Sequence, residues 1–189
     1  MRWDGLFADL EAQAAALERA ERSGQVDERT RAERAGVGLA DRLRPSCGSS
    51  LRLSCLGGHS VSGVLQRVGP DWLLLAGSGT EWVVGTAAVV AITGLGRLAA
   101  SAGSAGVVEA RLGLGHLLRG IARDRSPVRL YLADGSTSAA TLDRIGRDYL
   151  EAALHPVDEA RRRAEVRQVQ VVPFGAIVAL RREAAPERG

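Results

Sequence analysis

The sequence predicts an α+β protein in which two small five-stranded β-barrels follow one another, each preceded by a helix. A further amphipathic helix is predicted at the N-terminus. Short apolar segments separated by glycines are typical of the strands of a small barrel. These segments occur twice along the chain, and an apolar period of three to four residues precedes each set. With 189 residues, of which 46% are hydrophobic, the chain is long enough for one ordinary domain or two small ones with packed cores.

The N-terminal helix is predicted over residues 1–24, where apolar side chains recur at three- and four-residue spacing and acids lie off that face. Its apolar face includes Trp3, Phe7, Leu10 and Leu17. An isolated helix is marginal in water and gains most of its stability by burying such a face. We therefore expect a docking helix with two alternatives: it folds back on the barrels of its own chain, or it packs against a second chain or a partner.

The first barrel unit is predicted over residues 28–93. Its helix starts after Asp27, a residue type that favours the N-cap position, and runs toward Leu43. Five strands follow between glycine-containing turns and are predicted over 51–56, 60–68, 72–76, 81–84 and 89–92. Residues 94–106 are rich in Gly, Ala and Ser and form the predicted linker to the next unit.

The second barrel unit, over residues 107–182, repeats the first, and its helix is predicted over 107–123. From Val128 the sequence matches the strands of the first unit without a gap for 23 positions at an offset of 77 residues. After an insertion at 155–166 the match resumes at an offset of 88 residues. Two constant offsets separated by one insertion indicate an internal repeat. Residues 183–189 are predicted to form a flexible tail.

Three blocks of the second unit carry a resemblance to a known family: Val128 to Gly135, Leu142 to Leu150, and Val171 to Val178. A helix followed by five short strands with a tight turn before the last resembles the small SH3-like barrel, and more narrowly the Sm, LSm and Hfq group. The resemblance implies that the first block is strand one and its turn. It implies that the last block is the junction of strands four and five, which holds the rings of that family together. The last block is also similar to the closing strand of a PRC barrel, a family of assembly modules, and this resemblance competes with the first.

The Sm-like resemblance implies RNA binding, but this sequence differs at the RNA-contacting positions. The Lys-His pair of the Hfq uridine pocket falls on Phe174 and Gly175, and on Thr86 and Ala87 in the first unit. None of these side chains supplies a cationic contact with phosphate. We therefore expect the affinity for uridine-rich RNA to be weak and to decrease quickly as the salt concentration rises.

All 25 basic residues are arginines, and the formal net charge is only +3. This charge is far from the basic footprint of a dedicated nucleic-acid-binding domain. Two arginine groups are nevertheless candidate contacts for an anion or a partner. The first group lies in the insertion, where interleaved acids favour a solvated hairpin or short helix over an anion site, and comprises Arg161, Arg162, Arg163 and Arg167. The second group spans the end of the second-unit helix, where the helix dipole also favours cations, and comprises Arg119, Arg123, Arg125 and Arg129.

Residue patterns for catalysis, metal binding or cofactor binding are not evident, so we predict no enzyme activity, cofactor, metal or small-molecule substrate. Cys47 and Cys55 have no further cysteine near them, and His59 alone cannot complete a zinc site. The longest uncharged run, from Trp82 to Gly96, is too short to span a bilayer. The N-terminal region lacks the apolar segment of a signal peptide, so a cytoplasmic protein without membrane contact is expected.

These expectations combine into a non-enzymatic cytoplasmic binding or assembly module that acts through protein–protein contacts. Its partner is expected to be another protein or another copy of the chain, because small barrels with open edge strands associate by strand pairing. The alternative is a divergent Sm-like RNA-binding regulatory protein.

Overall fold

The structure of the protein is a computed structural model, and it describes residues 35–77, 79–96, 112–155 and 168–183. Outside these ranges lie the predicted N-terminal helix, nearly all of the predicted linker and insertion, and the predicted tail after Glu183. The chain divides into two compact units, Met1–Gly38 and Leu39–Gly189, and the architecture described below is that of the second unit.

Two short helices and ten strands occupy the described part of the second unit. Helices α1 and α2 span Leu39–Leu43 and Leu114–Asp124. The strands of the first half, β1 to β5, span Ser50–Cys55, Ser60–Val68, Trp72–Gly77, Thr80–Gly85 and Val89–Thr93. The strands of the second half, β6 to β10, span Pro127–Leu132, Thr137–Ile145, Tyr149–His155, Gln168–Pro173 and Ile177–Glu183.

All ten strands form one antiparallel sheet in the order β5-β1-β2-β3-β4-β10-β6-β7-β8-β9. The prediction of two five-stranded barrels is therefore wrong, because β10 pairs with β4 of the first half on one side and with β6 on the other. The accompanying prediction of several substantial helices is also wrong for the described residues, where the two helices comprise 5 and 11 residues. Hydrophobic alternation in a sequence locates strands, but it does not determine which strand pairs with the last one.

The two halves have the same strand order and equivalent pairing registers. The order is β5-β1-β2-β3-β4 in the first half and β10-β6-β7-β8-β9 in the second. Leu53 of β1 pairs with Val61 and with Ile92. Leu130, which is 77 residues later, pairs with Ser138 and Leu180. The second half therefore places its residues in the same relative positions as the first.

Alternation of apolar and polar residues determines which face of each strand is buried. On β1 every second residue is buried, namely Leu51, Leu53 and Cys55. The equivalent strand β6 buries residues with the same period. The buried side chains form two hydrophobic clusters, one mainly from each half. We call them the first-half cluster and the second-half cluster.

Parts of both predicted helices are not helical in the described residues. The helix predicted to run toward Leu43 is interrupted: Ala35 is helical, residues 36–38 include two glycines and are not helical, and α1 covers Leu39–Leu43. Residues 112–113 lie inside the range predicted for the second helix but are not helical, and α2 spans Leu114–Asp124. Neither helix in the described ranges has the length and apolar character needed to cross a bilayer.

Helix α2 is attached to the first half of the sheet at its N-terminus. The backbone N–H of Leu114 donates a hydrogen bond to Oδ1 of Asp71 at 2.8 Å. The indole N–H of Trp72 donates to the carbonyl oxygen of Leu112 at 2.7 Å. Because Asp71 precedes β3, a turn of the first half caps the helix of the second half.

Candidate functional site

The two edge strands of the sheet, β5 and β9, are the first candidate site. Neither strand contains a charged residue, although charged residues make up 25% of the chain. Each strand carries exposed valines, Val90 on β5 and Val169 and Val171 on β9. Edge strands of natural sheets usually carry charges, prolines or bulges that prevent pairing with another chain. Of these devices, β9 has Pro173 at its end and β5 has a bulge at Val90. The equivalent bulge at Val178 does not prevent β10 from pairing with β4 from Ala179 onward, so each edge can accept a further strand.

The pairing of β4 with β10 joins the two halves, and we call it the internal junction. Val83 and Val84 of β4 lie opposite Leu180 and Ala179 of β10. Side chains also cross the junction in both directions. The first half contributes Trp72 and Val83 to the second-half cluster. The second half contributes Val178 and Ala179 to the first-half cluster.

The edge residues equivalent to the valines buried at the internal junction are exposed. Val83 of β4 is only 6% exposed, whereas Val171, its equivalent on β9, is 60% exposed. Val178 of β10 is fully buried at 0% exposure, whereas Val90, its equivalent on β5, is 65% exposed. The free edges therefore carry side chains of the same type as the junction, without the strand that covers them there.

Polar contacts support the internal junction beside its apolar ones. The Arg182 guanidinium lies 2.6 Å from Glu81 across the junction and 3.9 Å from Asp124 of α2. The guanidinium carbon of Arg181 lies 5.7 Å from the centroid of the Trp82 ring, within the range of a cation–π contact. The three residues joined by the Arg182 ion pairs also line a cavity of about 270 Å³, together with apolar side chains that include Leu180. Three of the four charged side chains that line this cavity therefore pair with one another, and the fourth is Arg181.

Four arginines line an open cleft of about 390 Å³ between α2 and β7. Arg119 and Arg123 lie on the helix and Arg125 directly follows it, whereas Arg144 comes from β7. Of the group predicted around the helix end, Arg129 does not line this cleft. The cleft contains one acid, Asp143, so its cationic side chains outnumber its acids and an anion is the ligand that suits it.

Three other ionisable side chains have local interactions or burial that explain their state. The Ser136 hydroxyl and backbone N–H both donate to Asp134 and hold the pKa of this carboxyl below its usual value. Burial raises the pKa of the Cys55 thiol. Nε2 of His59 lies 3.0 Å from the carbonyl oxygen of Leu132. Within the described ranges, no three His, Cys, Asp or Glu side chains are grouped as a metal site requires.

Several predicted site residues lie outside the described residues. These are the arginines of the insertion and the apolar face of the N-terminal helix, namely Arg161, Arg162, Arg163, Arg167, Trp3, Phe7, Leu10 and Leu17. The sequence predicted association through open edge strands but did not identify which strands form the edges. A signal was present in the uncharged runs Val89–Thr93 and Gln168–Pro173, but buried strands are uncharged too, so the pairing order was needed to interpret it.

A comparison of this sequence with protein-family models and with curated proteins finds no match. The resemblances to Sm-like and PRC barrels stay predictions from the sequence.

Proposed function

We propose that the protein is a non-enzymatic assembly module that binds protein partners through the open edges of its sheet. The observation that supports this proposal most directly is that both edge strands are uncharged and carry exposed valines. Strand addition to an edge gives affinity through main-chain hydrogen bonds, and alternate side chains give selectivity. The cytoplasmic location expected from the sequence is part of the same proposal.

Lysines on both edges test this function in cells that produce the protein. The variant Val90→Lys/Val171→Lys places a charge where a partner strand would bury the side chain, and burying an unpaired charge is costly. After chemical crosslinking, proteins retained by the tagged wild type, including its own copies, are expected to decrease at least about tenfold with this variant.

Leu56→Lys is the matched control, because Leu56 is an exposed leucine in the turn between β1 and β2 and lies on neither edge. This control is expected to retain the same proteins as the wild type. If the double edge variant also retains them in unchanged amounts, the edges are not docking surfaces and the proposal fails.

The arginine cleft favours RNA binding as a second candidate function. Side chains such as Arg123 and Arg144 suit phosphate contacts, which weaken steeply as the salt concentration rises. In a titration with uridine-rich RNA at low salt, Arg123→Gln/Arg144→Gln is expected to bind at least about fivefold more weakly than wild type, because two phosphate contacts are lost. Arg52→Gln, an exposed arginine on β1 outside the cleft, serves as the control. Equal binding by all three proteins would exclude the cleft as an RNA site.

A further inference from the structure

We infer that the partner of the open edges is a second copy of this chain, in which β9 of one copy pairs with β5 of the next. This inference rests on the proposed function and names its partner. The internal junction supplies the template, because it joins the fourth strand of one half to the fifth strand of the other. The fourth strand of the second half is β9 and the fifth strand of the first half is β5. Among the residues that the structure describes, neither strand is paired on its outer side.

The internal junction also determines the register of this contact. Each residue of β4 corresponds to the residue of β9 that lies 88 positions later in the sequence. The same offset relates β5 to β10. Within the chain Leu180 lies opposite Val83. Transferred to the edges, this pair becomes Ile92 of one copy opposite Val171 of the other. The neighbouring pair of the junction becomes Ala91 opposite Val172 in the same way.

The exposed side chains of both edges match the residues that cross the internal junction. On β5, Val89 and Ile92 already pack against the first-half cluster of their own chain. Val90 and Ala91 are exposed instead, and they correspond to Val178 and Ala179, which enter the cluster of the opposite half. A copy paired at β9 would therefore place its Val90 and Ala91 in the second-half cluster of its neighbour.

On the β9 side, the residues equivalent to those that cross the internal junction are also partly exposed in the single chain. Trp72 and Val83 cross the internal junction from the first half and are buried. Their equivalents, Tyr149 and Val171, are partly and largely exposed in the single chain. Each edge therefore lacks the complement that the other edge provides. Because the two edges differ, the contact is head-to-tail, and an open series of copies keeps one free β5 edge and one free β9 edge unless it closes into a ring.

Complementation between two single variants tests this geometry in purified protein. Val171→Lys blocks β9 and leaves β5 intact, whereas Val90→Lys blocks β5 and leaves β9 intact. By light scattering, the mass of the wild type is expected to rise with concentration above the 19.9 kDa of one chain. Each variant alone is expected to remain a single chain, and an equimolar mixture is expected to form a one-to-one dimer. Leu56→Lys is expected to associate like the wild type.

The possible results separate the inference from the proposed function. A variant that dimerises alone would show pairing between identical edges and would overturn the head-to-tail geometry. A wild type that stays a single chain at all concentrations, while the edge variants still lose crosslinked proteins in cells, would overturn self-pairing and leave the proposed function standing. If the edge variants change neither the mass measured by light scattering nor the proteins crosslinked in cells, both proposals fail.

Cysteine pairs test the register without relying on the lysine variants. Directly opposed residues in an antiparallel pair have Cα atoms about 4.5–5.5 Å apart, which is within disulfide range. In a Cys47→Ser background, which removes the exposed native cysteine, a mixture of Ile92→Cys and Val171→Cys chains is expected to oxidise to a covalent dimer. A mixture of Ile92→Cys and Val169→Cys chains is the control, because Val169 lies two residues out of register. Equal crosslinking of both mixtures would contradict the register.

Discussion

Two aspartates at equivalent positions have different roles in the single chain. Asp71 and Asp148 both precede the third strand of their half, and their backbone carbonyls accept equivalent hydrogen bonds, from Thr86 and Phe174. Only the Asp71 carboxylate caps a helix, through Leu114. In the described part of the chain, Asp148 is exposed and its side chain has no such contact. The same residue type in the same turn is therefore expected to matter for stability in one half only.

Alanine at each aspartate measures this difference. Asp71→Ala is expected to lower the free energy of unfolding by about 1 kcal/mol, as loss of a helix N-cap typically does. Asp148→Ala is expected to change it by less than about 0.5 kcal/mol, as for an ordinary surface substitution. Chemical denaturation of dilute protein, where chains are single, checks both values. Equal losses in the two variants would contradict the assignment of Asp71 as the cap.

At the scale of elements, the sequence located strands better than helices. Strand β2 spans Ser60–Val68, the range predicted from its glycine boundaries and apolar content. The helix predicted to run toward Leu43 is interrupted at residues 36–38, because the apolar periodicity continues through two glycines that disfavour a helix. The strands could be predicted because alternate side chains of a strand are buried, and this period of two residues is recognisable even in a short segment.

The candidate sites were harder to predict because they depend on neighbours that are distant in sequence. Three of the four predicted arginines near the end of α2 line the cleft, but Arg144 joins them from β7. The edges depend on sheet order: Val83 and Val171 occupy corresponding positions in similar strands, and only the pairing of β10 with β4 buries the first and leaves the second exposed. No local pattern distinguishes these two valines.

At the scale of the whole sheet, the exchange of side chains across the internal junction couples the stability of the two halves. Val178 belongs to the second half in sequence but packs in the first-half cluster. Trp72 shows the reverse arrangement. Neither cluster is complete when one half is unfolded, so the halves are expected to unfold together.

Val178→Ala tests this coupling. The substitution is expected to cost about 1–3 kcal/mol, because it removes fully buried methyl groups and leaves a cavity. Unfolding followed by tryptophan fluorescence and by far-UV circular dichroism is expected to remain one coincident transition at a lower denaturant concentration. Val90→Ala, at the equivalent exposed position, is the control and is expected to unfold like the wild type in dilute solution. Two separated transitions in the Val178→Ala variant would show that the halves fold independently.

The position of β10 in the chain has a consequence for biosynthesis. Strand β4 ends at Gly85, whereas its partner β10 ends at Glu183. At a synthesis rate of about 5–20 residues per second, a ribosome needs roughly 5–20 s to add the intervening residues. During that time the nascent first half has an uncovered β4 edge and lacks the two side chains that β10 adds to its cluster. Neighbouring ribosomes on one messenger RNA carry the same unfinished segment, so correct pairing requires that the β10 of each chain reaches β4 before that of another nascent chain does.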